Sequence, residues 1–353
     1  VVIAFALRLK TKNDGTITSL KNIYRNGVAF CDKIGNSYEV PIFGDNDSGQ
    51  IISLDKKTRN YKSLKQFLNI IENKPLESHL DYHNILLLSI TNIDQINTAI
   101  KNRKKTRALS FKGHCFMGLK VNNLSAVMRY GLQGLKQRAS HDHDDALHVN
   151  LSKDGKDILV DKGCHSYTLD QKIREEYILS SAHNSLKEIG KERFYGGKGS
   201  IVKTVRGALV GNNPSCFDNK LDEAEMTASL KENKYSNFKK NERNVNMIYS
   251  KSKYELCITD IWELKKNAGV ELKYFFSTLN RPKIIDKINK NEILLNFENK
   301  KIKVSIKSDN FVDVKIFTFN YSRNYGSKEK SYGINILSKQ KSGIIKTNFS
   351  IDC

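Results

Sequence analysis

The sequence predicts an α+β, multidomain chain: a helical segment over residues 1–105, then a large antiparallel β-sandwich over 106–353. Three observations predict it. Apolar residues recur at helical spacing in the first hundred or so residues. From about residue 106 they alternate at period two, in roughly a dozen runs with mostly short turns between them. The length of 353 residues, 39% of them hydrophobic, with 16 Phe and 15 Tyr, suffices for two or three domains with real cores.

Taken in order, SLKNIYRNGVAF (19–30) sets Leu20, Ile23 and Tyr24 at helical spacing behind Ser19, an N-cap residue type. Tyr24 reads as packing. VPIFGDNDSGQ (40–50) is a polar loop rich in turn formers, and turn chemistry accounts for Asp45 and Asp47 as well as cation binding would. YKSLKQFLNIIE (61–72) places Leu64, Phe67, Leu68 and Ile71 on one helical face, and HNILLLSI (83–90) and IDQINTAI (93–100) suggest further helices. CFMGLKV (115–121) and LSAVMRY (124–130) flank Asn122-Asn123 as a hairpin. Alternation continues through ELCITDIWEL (255–264), VELKYFF (270–276), EILLNF (292–297), KIKVSIK (301–307), VDVKIFTF (312–319) and GINILS (333–338), with Trp262 read as core. The polar stretch 217–246 reads as a long surface excursion.

A formal charge of +21, from 59 Lys and Arg against 38 Asp and Glu, favours an acidic partner or reflects a lysine-rich background. Nucleic acid ranks low: the densest basic block is KNRKK (101–105), and no nucleic-acid motif accompanies it. Six dispersed cysteines without a CxxC pair argue against zinc-finger and thioredoxin-like chemistry. The opening VVIAFALRLK is too short to span a bilayer, lacks a basic flank before its apolar run, and reads as a cut through a longer protein.

The densest chemistry lies in SHDHDDALHVNLSKDGKDILVDKG (140–163), where His141, His143 and His148 crowd beside Asp144, Asp145 and Asp161. His141 and His143, two apart, share a face if extended. Asp154-Gly155 between alternating runs signals a type I′ hairpin. Counting back along a regular ladder from Lys153 opposite Lys156 sets His148 opposite Asp161. SSAHN (180–184) adds His183. Two or three imidazoles with Asp161 suit zinc, while a cross-strand hydrogen-bonded pair accounts for His148 and Asp161 without a metal.

The ordered series GDNDSG (44–49), HDHDDAL (141–147), DKGCHSY (161–167), Arg174, SSAHNSL (180–186) and YSRNYG (321–326) resembles the heparinase II/III family of polysaccharide lyases. The resemblance runs from about 40 to 350 and implies the C-terminal remnant of an (α/α) toroid ahead of a multi-sheet supersandwich. It implies that His141 lies at the substrate cleft and handles the uronate or its proton, and that His143, Asp161 and His183 hold a mainly structural zinc. On the regular ladder His143 would sit ~17 Å beyond the point facing Asp161 at ~3.3 Å per residue, so either the chain bulges near Asp144 and Asp145 or His148 takes its place. Arg174 meets an acidic sugar or forms a structural ion pair. The family's catalytic Tyr and its neutralising Asn or His lie upstream of the GDNDSG-type loop, and only about 40 residues precede that loop here.

The implied activity is β-elimination on a uronic-acid-containing acidic polysaccharide, outside the cytoplasm in the periplasm or cell envelope. The rival reading is a glycan-binding or structural β-sandwich without chemistry. Pairing with a second copy as a homodimer is compatible with either.

Overall fold

The helical period of the first hundred residues becomes α1 (Asp14–Ile34) and α2 (Lys62–Ile71). Tyr24 and Val28 of α1 pack against Phe67 and Leu68 of α2. The Tyr24 and Phe67 rings meet edge to face at 6.0 Å, and the Tyr24 hydroxyl donates to the Leu64 carbonyl at 2.8 Å. Tyr24 is therefore a packing residue with its polar tip satisfied. The computed structural model describes residues 14–46, 60–72, 74–76, 80, 84–85, 109–112, 115–130, 143–166, 171–192, 216–230, 237–250, 252–278, 282–289, 292–297 and 302–352. The expected helix at 93–100 lies outside them, as does all of the one at 83–90 except 84–85, which are helical. Two units partition the chain: Val1–Val40 with Gln50–Thr106, and Pro41–Gly49 with Arg107–Cys353.

The second unit is mostly antiparallel sheet with few helices. Among the described residues its strands form three sheets. The first is a meander of β1 (Leu109–Lys112), β2 (Phe116–Val121), β3 (Leu124–Arg129), β4 (Val149–Lys153) and β5 (Lys156–Leu159). Its Asn122-Asn123 turn brings Val121 opposite Leu124. At Asp154-Gly155 both residues have positive φ, +53° and +74°, as a type I′ turn requires, and Lys153 faces Lys156. The ladder then shifts: Ser152 faces Asp157 but Leu151 faces Leu159, so Ile158 is an extra residue on β5. The regular count that placed His148 opposite Asp161 fails by this bulge. Beyond Leu159 the chain leaves β4 altogether, and the Val160 N–H donates to Phe275.

The other two sheets need β6 (Leu186–Glu188), β7 (Cys216–Leu221), β8 (Glu225–Leu230), β9 (Phe238–Ser250), β10 (Lys253–Leu264), β11 (Val270–Phe275), β12 (Pro282–Asn289), β13 (Glu292–Phe297), β14 (Ile302–Ser308), β15 (Asp313–Tyr321), β16 (Glu329–Ser338) and β17 (Ser342–Asp352). The larger runs β12-β13-β14-β17-β10-β9-β8-β7, and the smaller β15-β16-β11-β6. One continuous core joins all three sheets, with Met117, Leu119 and Leu151 from the meander, Leu256, Val304 and Phe349 from the eight-stranded sheet, and Leu272 and Ile336 from the four-stranded one. Trp262 is buried on β10, as read from the alternation, and its indole N–H donates to the Gln340 carbonyl.

The stretch 217–246, expected as a surface excursion, instead supplies β7, β8 and most of β9. Met226, Ala228, Phe238 and Val245 point into the core from it, while the alternate residues form a partly solvated face. Two inward positions, Asn241 and Arg243, are polar yet buried, which hides the alternation from a hydrophobicity pattern. No helix among the described residues is long and apolar enough to cross a membrane.

Candidate metal centre

The approach to β4 and the exit from β5 converge on the short 3-10 turn Ser180–Ala182, which follows the helix α3 (Gln171–Ile178). His143 lies on the first of these segments, Asp161 on the second, and His183 ends the turn. All three side chains are fully buried. The chain is bent to bring them together: the Asp144 N–H donates to Ile178, Leu147 adopts a φ of +63°, and its N–H donates to Arg129. The Arg129 guanidinium in turn reaches the Asp145 carboxylate at 3.3 Å.

The facing atoms of His143, Asp161 and His183 all lie within 4.8 Å of one another. His183 Nδ1 is 2.8 Å from Asp161 Oδ2, and His143 Nδ1 is 3.9 Å from Asp161 Oδ1. Zinc bonds of ~2.0–2.2 Å in a tetrahedron put neighbouring donors about 3.3 Å apart, between those two separations. Two imidazoles and one carboxylate are also an ordinary zinc donor set, so the residues fit the ion. Burial raises the Asp161 carboxyl pKa despite the imidazoles beside it, which marks a carboxylate that a cation would stabilise as the anion.

His148 is buried at the same place, its ring edge-on to His183 at 5.7 Å, but its tautomer sets it apart. Its Nδ1 accepts the Asn184 backbone N–H at 3.0 Å. A backbone N–H can only donate, so the lone pair of the neutral ring is at Nδ1 and the proton at Nε2. Burial, foremost, pushes the ring pKa down to about 3 and keeps it neutral. His148 thus has no second lone pair to offer, and His143 is the better ligand on geometry.

Asp45 was missed as a site residue. It sits on the segment Pro41–Gly49 that belongs with the sandwich, and its carboxylate is fully buried. His143 Nε2 is 3.0 Å from Asp45 Oδ1, while Arg174 on α3 donates Nη1 to Oδ1 at 2.9 Å and Nη2 to Oδ2 at 2.7 Å. Burial works to raise the Asp45 pKa, but the hydrogen bonds and charges of His143 and Arg174 outweigh it and hold it down to about 2. Of the two roles read for Arg174, the structure shows the ion pair. An Asp in a turn-rich loop carries no local sign of partners 98 and 129 residues away. His141 lies outside the described residues, as does Asp47.

Gly163 holds the Asp161 carboxylate through its backbone. Its N–H donates to Asp161 Oδ1 at 2.8 Å, its φ is +83°, and a Cβ there would lie 1.9 Å from the Ser322 carbonyl oxygen. Ser322 belongs to the YSRNYG stretch, whose Gly326 N–H also reaches the His165 carbonyl. Gly163→Ala is expected to cost at least ~2 kcal/mol, from the left-handed backbone and the clash together. A urea midpoint unchanged by the substitution would show that the backbone here is not held as described.

Residues 103–335 match the family model described as Heparinase II/III-like, C-terminal. Heparan sulfate lyase HepC from Pedobacter heparinus superposes with a TM-score of 0.60 at 13% identity, over 93% of this chain and 46% of its own. A crystal structure of heparinase III superposes with a TM-score of 0.59 at 14% identity, over 94% of this chain and 48% of its own. The heparinase III described as the BT4657 gene product gives 0.58 and 14%, over 92% and 46%. The likeness is one of fold, and the chain spans less than half the length of these proteins. No curated protein matches it in sequence.

Proposed function

The chain belongs to the heparinase II/III-like C-terminal family, and from that membership we propose that it serves a polysaccharide lyase acting on an acidic, uronic-acid-containing polysaccharide. The observation that carries the reading is the buried His143, Asp161 and His183 cluster inside the family-matched stretch. In the reaction the C5–H bond of the uronate and the C4–O glycosidic bond break, and a C4=C5 double bond forms. The C5 proton goes to a base, and the departing oxygen takes a proton from an acid. The substrate carboxylate must meet positioned donors as charge develops on it.

His141, the first histidine of the HDH pair, is assigned the proton or the uronate on the strength of the family resemblance. His143, Asp161 and His183 would hold zinc, which supplies a cross-link between three chain segments rather than a reacting group. Arg174 is assigned to Asp45, and through it to the cluster. Helices α1 and α2 are read as the last part of an (α/α) toroid, and the periplasm or cell envelope as the place of action. The net charge of +21 suits a polyanionic chain.

The test uses the full chain with heparan sulfate, hyaluronan and alginate, following the ultraviolet absorbance of the unsaturated uronate alongside elemental analysis for zinc. Absorbance that disappears in His141→Ala, with one zinc retained per chain, supports the lyase reading. Zinc with no product from any of the three, together with retention on an immobilised uronan, moves the binding-module reading ahead.

A further inference from the structure

We infer that Asp45 and Arg174 form a positioning pair that fixes which nitrogen of His143 faces the metal. The inference rests on the zinc reading above and extends it to residues outside the ligand set, one of them, Asp45, outside the family-matched stretch 103–335.

The argument begins with hydrogen-bond valence. An ionised carboxylate has no proton to give, so the 3.0 Å contact between His143 Nε2 and Asp45 Oδ1 requires the proton on Nε2. A neutral imidazole carries one N–H, which leaves the lone pair on Nδ1, the nitrogen that faces Asp161 at 3.9 Å. Asp45 thereby selects the ligating atom and the ring orientation together, and raises the basicity of the ring.

Asp45 could do this only if it is itself held. Arg174 supplies a two-point clamp, Nη1 on Oδ1 and Nη2 on Oδ2, which fixes the carboxylate plane as a single Lys contact would not. Oδ1 consequently accepts from Arg174 and His143 at once, and the line Arg174–Asp45–His143 runs into the cluster. Simple charge balance of Asp45 needs only Arg174. The additional bond to a ring whose opposite nitrogen faces the cluster is what a structural ion pair does not require.

Three readouts on the full chain test this. The first is zinc affinity by competition with a chelator. Wild type is expected to bind one zinc, Asp45→Asn to bind it roughly 10–100-fold more weakly, and Arg174→Gln to lose roughly 10-fold. Arg174→Lys, which keeps charge without the fork, should recover part of that loss. The second is the visible spectrum of the cobalt-substituted proteins, which should change in Asp45→Asn because a rotated or re-protonated His143 alters the ligand field. The third is nitrogen-15 NMR of labelled histidine, in which wild type should show a solvent-protected Nε2–H at His143 that is absent in Asp45→Ala. Trp262 fluorescence verifies that each variant is folded, and Arg174→Gln carries the test if the Asp45 variants are not.

Equal zinc affinity and unchanged cobalt spectra across wild type, Asp45→Asn and Arg174→Gln would overturn the inference. If wild type binds no zinc, the metal reading itself falls. The His143 ring signal then decides separately whether Asp45 orients the ring: a protected Nε2–H keeps the orientation, and its absence removes it.

Discussion

Arg243→Met is expected to destabilise the sandwich by about 3–5 kcal/mol, because it strands a carboxylate in the core. Arg243 on β9 faces Asp260 on β10 across the ladder, and both side chains are buried on the inner face of the eight-stranded sheet. Nε and Nη2 of Arg243 donate to the two Asp260 oxygens at 2.8 and 2.9 Å. Nη1 donates to the Leu147 carbonyl at 2.7 Å and also to the Asn184 carbonyl. Leu147 adjoins His148 and Asn184 adjoins the candidate ligand His183, so one guanidinium ties the sheet core to the segments beside the candidate metal centre. Trp262, the one Trp of the chain, lies two residues from Asp260 on the same strand and reports the unfolding of this sheet by fluorescence. Adding Asp260→Leu to Arg243→Met should recover the part of the loss due to the stranded charge, but not the part due to the two bare carbonyls. A loss below about 1 kcal/mol in the single variant would mean that water reaches Asp260 and that the pair is not sealed.

Asn184→Ala is expected to be of similar severity. The Asn184 side chain donates to the Val149 and Val160 carbonyls at 2.9 and 3.0 Å and accepts the Phe275 N–H at 2.7 Å. These are backbone groups of β4, of the exit from β5, and of β11, so one amide fills the gap where two sheets part. Removing it leaves three buried polar groups bare at ~1–3 kcal/mol each, a loss of roughly 4 kcal/mol after partial relaxation. Asn184→Asp should also destabilise, since a carboxylate keeps the acceptor for Phe275 but can donate to neither carbonyl. Urea unfolding followed at Trp262 measures both. An Asn184→Asp protein as stable as wild type would show that the two carbonyls are satisfied by other means.

Much of this architecture was open to reading in the sequence, and the parts that were not share a physical cause. Asp154-Gly155 and Asn122-Asn123 announce their hairpins because positive φ selects residue types locally. The helices announce themselves by apolar spacing. His143, Asp161 and His183 were reached through a family resemblance, and the structure brings these three together. The local pattern alone favoured His148 over His143, because an extra residue such as Ile158 leaves no mark in a hydrophobic alternation. β9 was missed because Asn241 and Arg243 occupy inward positions where a pattern reader expects apolar residues. Asp45 was missed because its significance resides entirely in partners distant along the chain.

That distance bears on how the protein is made. Pro41–Gly49 belongs with the sandwich although both its neighbours in sequence, Val40 and Gln50, belong with the helical unit, so the chain passes between the units three times. At ~5–20 residues per second, Asp45 leaves the ribosome on the order of ten seconds before Arg174. Closing a loop of that length adds only a few kcal/mol of entropic cost, but it ties the second unit to a segment made far earlier. A fragment cut at the limits of the family match, 103–335, would carry His143 and Arg174 without the carboxylate that both contact. It would have to fold around a largely buried guanidinium with its counter-charge removed.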